Sequence, residues 1–258
     1  MFDYLPLAVK LYILAIALAT GTILGSGLNC LAYRMVRRQS WAGGRSRCPR
    51  CSHVLAARDL IPVLSYVTLK GKCRYCGGKM DKRYVLTEAF LGVCYVTLVL
   101  RFGLSFDTVT HLILVSCLFT LSLIDLDTQI IPDRFLVIPA LFRLLQLGME
   151  GEILSGLVPA FVFGGGLLAL SLVMDKILGK DTMGGGDIKL MAVLGLYFSI
   201  PECLLLLILA CVAGIVIASI LMKIKDDTPF PFGPALSIAA YATMLVGEPV
   251  ISWYLGLF

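Results

Sequence analysis

The stretch "DTMGGGDIKL" at 181–190 sets three consecutive glycines, Gly184, Gly185 and Gly186, directly before a carboxylate, Asp187, between apolar runs of membrane length. A second acid, Asp125, follows the apolar stretch "LFTLSLI", with Asp127 and Asp133 just beyond it. Ionisable residues at membrane depth are rare and usually functional. Each acid also has an ordinary use. Asp133 follows Pro132 and suits a helix cap. Asp127 suits a solvated boundary, and Asp187 a helix start, where a carboxylate is favoured. Asp125 is the deepest of the three that end this run. Glycines beside Asp187 permit close approach of a backbone, including that of a substrate strand. Two carboxylates a few ångströms apart cannot both ionise comfortably and share one proton. The ionised member then activates water as general base, and the protonated one polarises a scissile carbonyl. The two histidines, His53 and His111, lie in other segments, so no serine or cysteine nucleophile with a nearby histidine competes. Aspartyl proteolysis is one chemistry open to this pair. A proton-coupled transporter uses the same intramembrane carboxylates, and these residues alone do not choose between them.

A second constellation lies in "SRCPRCSHVLAARDLIPVLSYVTLKGKCRYCGGKM". It holds two C-x-x-C pairs, Cys48/Cys51 and Cys73/Cys76, separated by 21 residues. Two such knuckles bring four thiolates around one tetrahedral Zn²⁺. Arg47, Arg50, Lys72 and Arg74 favour the thiolate form. In a reducing cytoplasm four cysteines serve as metal ligands more readily than as disulfides. Redox chemistry, or unligated thiols, are the alternatives, and a zinc-loop membrane scaffold without catalysis is the matching alternative for the whole chain. The other five cysteines fall in or near apolar runs and suit packing.

The elements that must position these groups are membrane helices. The chain is 59% hydrophobic and 15% charged, against about 45–50% and about 25% in soluble domains. A span needs roughly 20 mostly apolar residues. The expected fold is an all-α polytopic membrane protein of about eight transmembrane helices with one cytoplasmic zinc-knuckle loop. The spans are expected at Leu5 to Leu31 (retained rather than cleaved as a signal), 85–100, 108–124, 135–147, 154–174, 187–200, 202–222 and 232–253. The domain division is a first helix at 1–33, a four-cysteine loop at 34–83 and a transmembrane domain at 84–258. Between Arg34 and Arg83 there are thirteen Lys/Arg and two acids. Such loops stay cytoplasmic, so eight spans put both termini outside and the stretches 125–134, 175–189 and 223–228 inside. Asp125 and Asp187 then meet at the same cytoplasmic edge. The basic loop is read as a topology signal facing the lipid bilayer, not as a nucleic-acid site.

Taken together, "GSGLNCLAYR" at 25–34, "RCPRCSHVL" at 47–55, "DLIPVLSYVTLKGKCRYCGGKM" at 59–80, "RYVLTEAF" at 83–90, "IDLDTQIIPD" at 124–133, "GGGDIKL" at 184–190 and "PFGPAL" at 231–236 resemble the bacterial type IV prepilin leader peptidases, GxGD aspartyl membrane proteases. The resemblance implies that Asp125 and Asp187 are the catalytic aspartates and that Cys48, Cys51, Cys73 and Cys76 are the family's cytoplasmic knuckles. It implies an inner-membrane enzyme that cuts the basic leader from prepilins or pseudopilins of a type IV pilus or type II secretion system. It implies a second activity, N-methylation of the new N-terminus with S-adenosylmethionine. Three positions depart from the family pattern: Gly27, Tyr84-Val85 and Phe135. Leader cleavage and methyl transfer share no obligatory residue. The loop from Arg34 to Arg83 is the cytoplasmic segment long enough to shape a methyl-donor site. Glu88, just inside the next span, is the nearest acid able to hold or deprotonate an amine, or else a boundary charge paired with Arg83 or Lys82.

Overall fold

In lipid a backbone must satisfy its own polar groups, so long apolar runs become helices. The computed structural model describes residues 4–40, 46–180, 182–222 and 231–256. The expected inner stretch 223–228 lies outside the described residues, as do Asp181 and residues 41–45 of the four-cysteine loop. The helices are α1 (Leu7–Val36), α2 (Leu64–Thr68), α3 (Lys82–Phe102), α4 (Phe106–Thr128), α5 (Arg134–Glu150), α6 (Ile153–Leu178), α7 (Gly185–Gly195), α8 (Ile200–Met222) and α9 (Gly233–Leu255). Among the described residues there is no strand, only two isolated bridges. Six of the helices (α1, α3, α4, α6, α8 and α9) are long and apolar enough to cross a membrane, so this is a multi-pass membrane protein. At 17 and 11 residues, α5 and α7 fall short of that length. The chain divides into two compact units, Met1–Thr108 and Val109–Phe258.

In the first unit α1 packs along α3 through glycines. A Cβ added at Gly21 would lie 2.8 Å from the Gly92 Cα, and one at Gly25 would lie 3.2 Å from the Glu88 Cα. The two glycines are four residues apart, the spacing that lets membrane helices approach backbone to backbone. Gly27, on another face, meets nothing within 4 Å, so a larger side chain there would have room.

In the second unit the same device holds α7. Gly156, Ala160 and Gly164 recur at four-residue spacing on α6. A Cβ at Gly164 would sit 2.6 Å from that of Ala192, and one at Gly195 would sit 2.5 Å from the Ala160 Cα. Eleven residues of helix rise only about 16 Å, roughly half the hydrocarbon thickness. The last carbonyls of α7 therefore end inside the bundle, where lipid offers no donor. Arg143 of α5 supplies one, its Nε donating to the Leu196 carbonyl at 3.2 Å. Arg143 Nη1 and Thr110 Oγ1 both donate to Gln146 Oε1, at 2.8 and 2.9 Å, and Gln146 Nε2 donates to Glu150 at 2.9 Å. Gln146 is only 1% exposed. Next to this network, the Tyr197 hydroxyl donates to the Pro139 carbonyl at 2.8 Å.

Candidate active site and metal centre

Asp125 lies in the last turn of α4 and is 4% exposed. Its Oδ2 accepts a hydrogen bond at 3.1 Å from the backbone N–H of Gly233, the first residue of α9. Asp187 lies in the first turn of α7, and its Oδ1 is buried without a hydrogen-bond partner. The two carboxylates are near enough for the charge on Asp125 to act on Asp187. Ile131 joins the two sides, because its side chain fills the space left by two glycines. A Cβ at Gly186 would lie 2.9 Å from the Ile131 Cβ, and one at Gly233 would lie 3.3 Å from its Cδ1.

The acids that sequence reasoning could not separate are sorted by their surroundings. Asp127 is exposed. Asp133 stands at the N-cap position of α5 but makes no capping bond there. It pairs with Lys189 at 2.8 Å, both side chains more than half exposed.

The three glycines differ. Gly184 is the N-cap of α7, and a Cβ on it would come within 3.1 Å of Asp187 Oδ2. Gly185 is exposed and faces open space, whereas Gly186 abuts Ile131. Gly185→Ala is therefore expected to keep turnover within about twofold. Gly186→Ala, which shifts α7 against Ile131, is expected to lose on the order of tenfold or more. Initial rates of the two variants on one substrate check this, and equal rates would contradict it.

Gly233 is the contributor that sequence reasoning passed over. "PFGPAL" carries no ionisable or nucleophilic side chain that would single it out. The signal was a glycine–proline pair opening an apolar run, the pattern of a helix N-terminus, whose free N–H groups attract carboxylates.

In the first unit the two knuckles fold as the same turn. Cys48 N–H donates to the His53 carbonyl and Ser52 N–H to that of Cys48, at 3.0 and 2.9 Å. Cys73 N–H donates to Gly78 and Gly77 N–H to Cys73, at 2.8 and 2.9 Å. Both turns need a positive φ at one position, +57° at Ser52 and +67° at Gly77. The four sulfurs lie within 4.8 Å of one another, and Cys48 and Cys76 are 3.9 Å apart. A tetrahedral Zn–S₄ centre requires about 3.8 Å between sulfurs, so the donor set fits zinc. Among the described residues no other group of three or more His, Cys, Asp or Glu is placed to share an ion. The backbone N–H of Cys51 aims at the Cys48 sulfur and lowers that thiol to about 6. Cys51 moves the other way, to about 11: the His53 backbone favours its thiolate, but burial and the hydrogen bonds with Cys48 and Cys76 outweigh it. One thiolate forms readily, and its negative charge opposes the next until a cation is present.

Asp59, in the turn that follows the first knuckle, ties that turn to the second knuckle. Its carboxylate accepts from Arg74 Nε at 2.7 Å, from the Tyr75 hydroxyl at 3.0 Å and from the Ala56 N–H at 3.2 Å. The Arg74 guanidinium holds that carboxyl below its ordinary value. His53 stacks on Tyr75 with ring centres 3.7 Å apart.

Glu88, 9% exposed on α3, accepts from the Val63 N–H at 2.8 Å. Val63 has φ +60° and ψ −51°, and Leu64 N–H donates to the Pro62 carbonyl at 2.6 Å. This is a classic γ-turn, rare and strained for a β-branched residue. Glu88 thus holds a strained corner of the loop.

Residues 19–102 match the bacterial peptidase A24 N-terminal domain, and residues 112–219 match the type IV leader peptidase family. The chain is 32% identical to the prepilin leader peptidase/N-methyltransferase of Stutzerimonas stutzeri, over 93% of this chain and 92% of that protein. It is 31% identical to the protein of the same name from Pseudomonas aeruginosa, over 99% and 97%. For the Neisseria gonorrhoeae protein the identity is 30%, over 97% and 96%. No solved structure is a significant match.

Proposed function

Because the chain belongs to the type IV leader peptidase family, we propose that it cuts the basic leader from prepilins or pseudopilins and then methylates the new N-terminus. The observation that supports the peptidase reading is that the charge on Asp125 reaches Asp187, with Ile131 packed between Gly186, beside Asp187, and Gly233, which donates to Asp125. One carboxylate takes a proton from water while the water oxygen attacks the scissile carbonyl. The other gives its proton to the carbonyl oxygen. Gly184 lies against Asp187 and, lacking a side chain, leaves the substrate backbone room to approach it. The basic loop faces the cytoplasm of a bacterial inner membrane, and both termini face out. The scissile bond then lies where a basic leader meets an apolar helix, at the inner membrane edge.

The four cysteines hold one structural Zn²⁺ per chain. S-adenosylmethionine supplies the methyl group. The four-cysteine loop, whose corner at Val63 Glu88 fixes, is the segment assigned to holding that donor. Purified protein is incubated with a full-length prepilin, with and without S-adenosylmethionine, and the product N-terminus is weighed by mass spectrometry. The expected products are a leaderless pilin in both cases and one added methyl group only with the donor. An intact substrate in both would overturn the reading. A leaderless but never methylated product would restrict the chain to peptidase activity.

A further inference from the structure

The N–H of Gly233 reaches Asp125 across 108 residues of sequence. It belongs to the first turn of α9, with proline at the helix start, so it has no partner within its own helix. A backbone N–H donated to a carboxylate favours the charged form. Both acids lie at a helix N-terminus (α9 for Asp125, α7 for Asp187), so the helix charge does not separate them and the direct N–H bond does. Asp187 has no matching donor at its buried Oδ1. We infer that Gly233 is a positioning residue that makes the two carboxylates unequal, setting Asp125 as the water-activating base and Asp187 as the proton donor to the scissile carbonyl. This rests on the dyad reading above and adds to it the assignment of roles.

In the step so assigned, Asp125 takes a proton from water as the water oxygen bonds to the carbonyl carbon, and Asp187 protonates the carbonyl oxygen. When the diol collapses, the C–N bond breaks and the leaving nitrogen takes the proton held by Asp125. Asp187 recovers a proton from the diol hydroxyl. The position admits no side chain. A Cβ at Gly233 would lie 2.7 Å from Asp125 Oδ2, so the carboxylate or the helix must give way and the donor would move off its acceptor.

The sharpest test replaces Gly233 by glycolic acid in cell-free synthesis. This removes the N–H and leaves the shape of the backbone almost unchanged. The expected result is a kcat lower by on the order of ten- to a hundredfold, with KM, melting temperature and methylation of a pre-cut peptide unchanged. Gly233→Ala should lower kcat as well. In infrared difference spectra a protonated-carboxyl band should disappear with Asp187→Asn. Parental kcat in the glycolic acid variant would overturn the inference. So would a fall in kcat accompanied by losses in KM, melting temperature and methylation, which would make the contact merely structural. A band lost with Asp125→Asn instead would reverse the roles and overturn it too. Retained turnover in Asp187→Ala would mark a different failure, that of the dyad itself.

Discussion

Asp125→Ala and Asp187→Ala are each expected to abolish leader cleavage, by on the order of 10⁴-fold or more, while the protein still accumulates in the membrane. In the proposed mechanism the two acids act on one carbonyl and one water, so losing either removes the whole proton circuit. The double variant is therefore expected to be little worse than either single one. Accumulation is expected because the small-residue and apolar helix packing is untouched by either change. Asp125→Ala leaves the Gly233 N–H without its acceptor, a cost of about 1–3 kcal/mol, but it also removes a carboxylate that is 4% exposed. Cleavage assays at matched protein levels check this. Near-normal turnover in either single variant would move the first acid to Asp127 or Asp133. The exposed pairing of Asp133 with Lys189 makes it a poor substitute.

Zinc removal is expected to have an equally large effect, confined to the other unit. One zinc per chain should be found by elemental analysis and be absent from a quadruple Cys48/Cys51/Cys73/Cys76 serine variant. Structural zinc contributes about 10–16 kcal/mol of apparent binding energy to small domains. That exceeds what the other tertiary contacts of its described residues supply, chiefly the small cluster of Cys48, Leu55, Cys73 and Met80, the Asp59 bonds, the Glu88–Val63 bond and one ring stack. Without metal, residues 46–80 should become sensitive to limited proteolysis, and methylation should fall by more than cleavage. Active, carefully purified protein that contains no metal would refute the assignment.

The helices were largely legible because apolar run length alone nearly determines them. The expected 108–124 is α4 at Phe106–Thr128, and the expected 154–174 is α6 at Ile153–Leu178. The run expected at 187–200 stops at Gly195. Hydropathy does not record that α7 ends inside the bundle, because the arginine capping it lies 53 residues earlier. The cysteine cluster was legible from its two short spacings, yet Asp59, which ties the turn after the first knuckle to the second, looked like an ordinary loop acid. Asp125 and Asp187 drew attention as charges in an apolar context. Gly233 carried no charge, and its function is made by its backbone, which a sequence shows only as the absence of a side chain. Glu88 stood out as an acid just inside a span, but spacing along the chain does not show that it accepts the Val63 amide.

The Arg143 network also constrains how the chain is made. An arginine at the centre of a helix costs about 2.5–3.5 kcal/mol on insertion, and α5 carries it in a segment of only 17 residues. When α5 leaves the ribosome, Thr110 already exists and Glu150 follows within the same helix, so part of the polar load is shared at once. The Leu196 carbonyl does not yet exist. α5 must therefore wait, at the translocon or beside α4, until α7 has been synthesised. The fold is expected to close late in biogenesis, with α5 and α7 docking together rather than helix by helix.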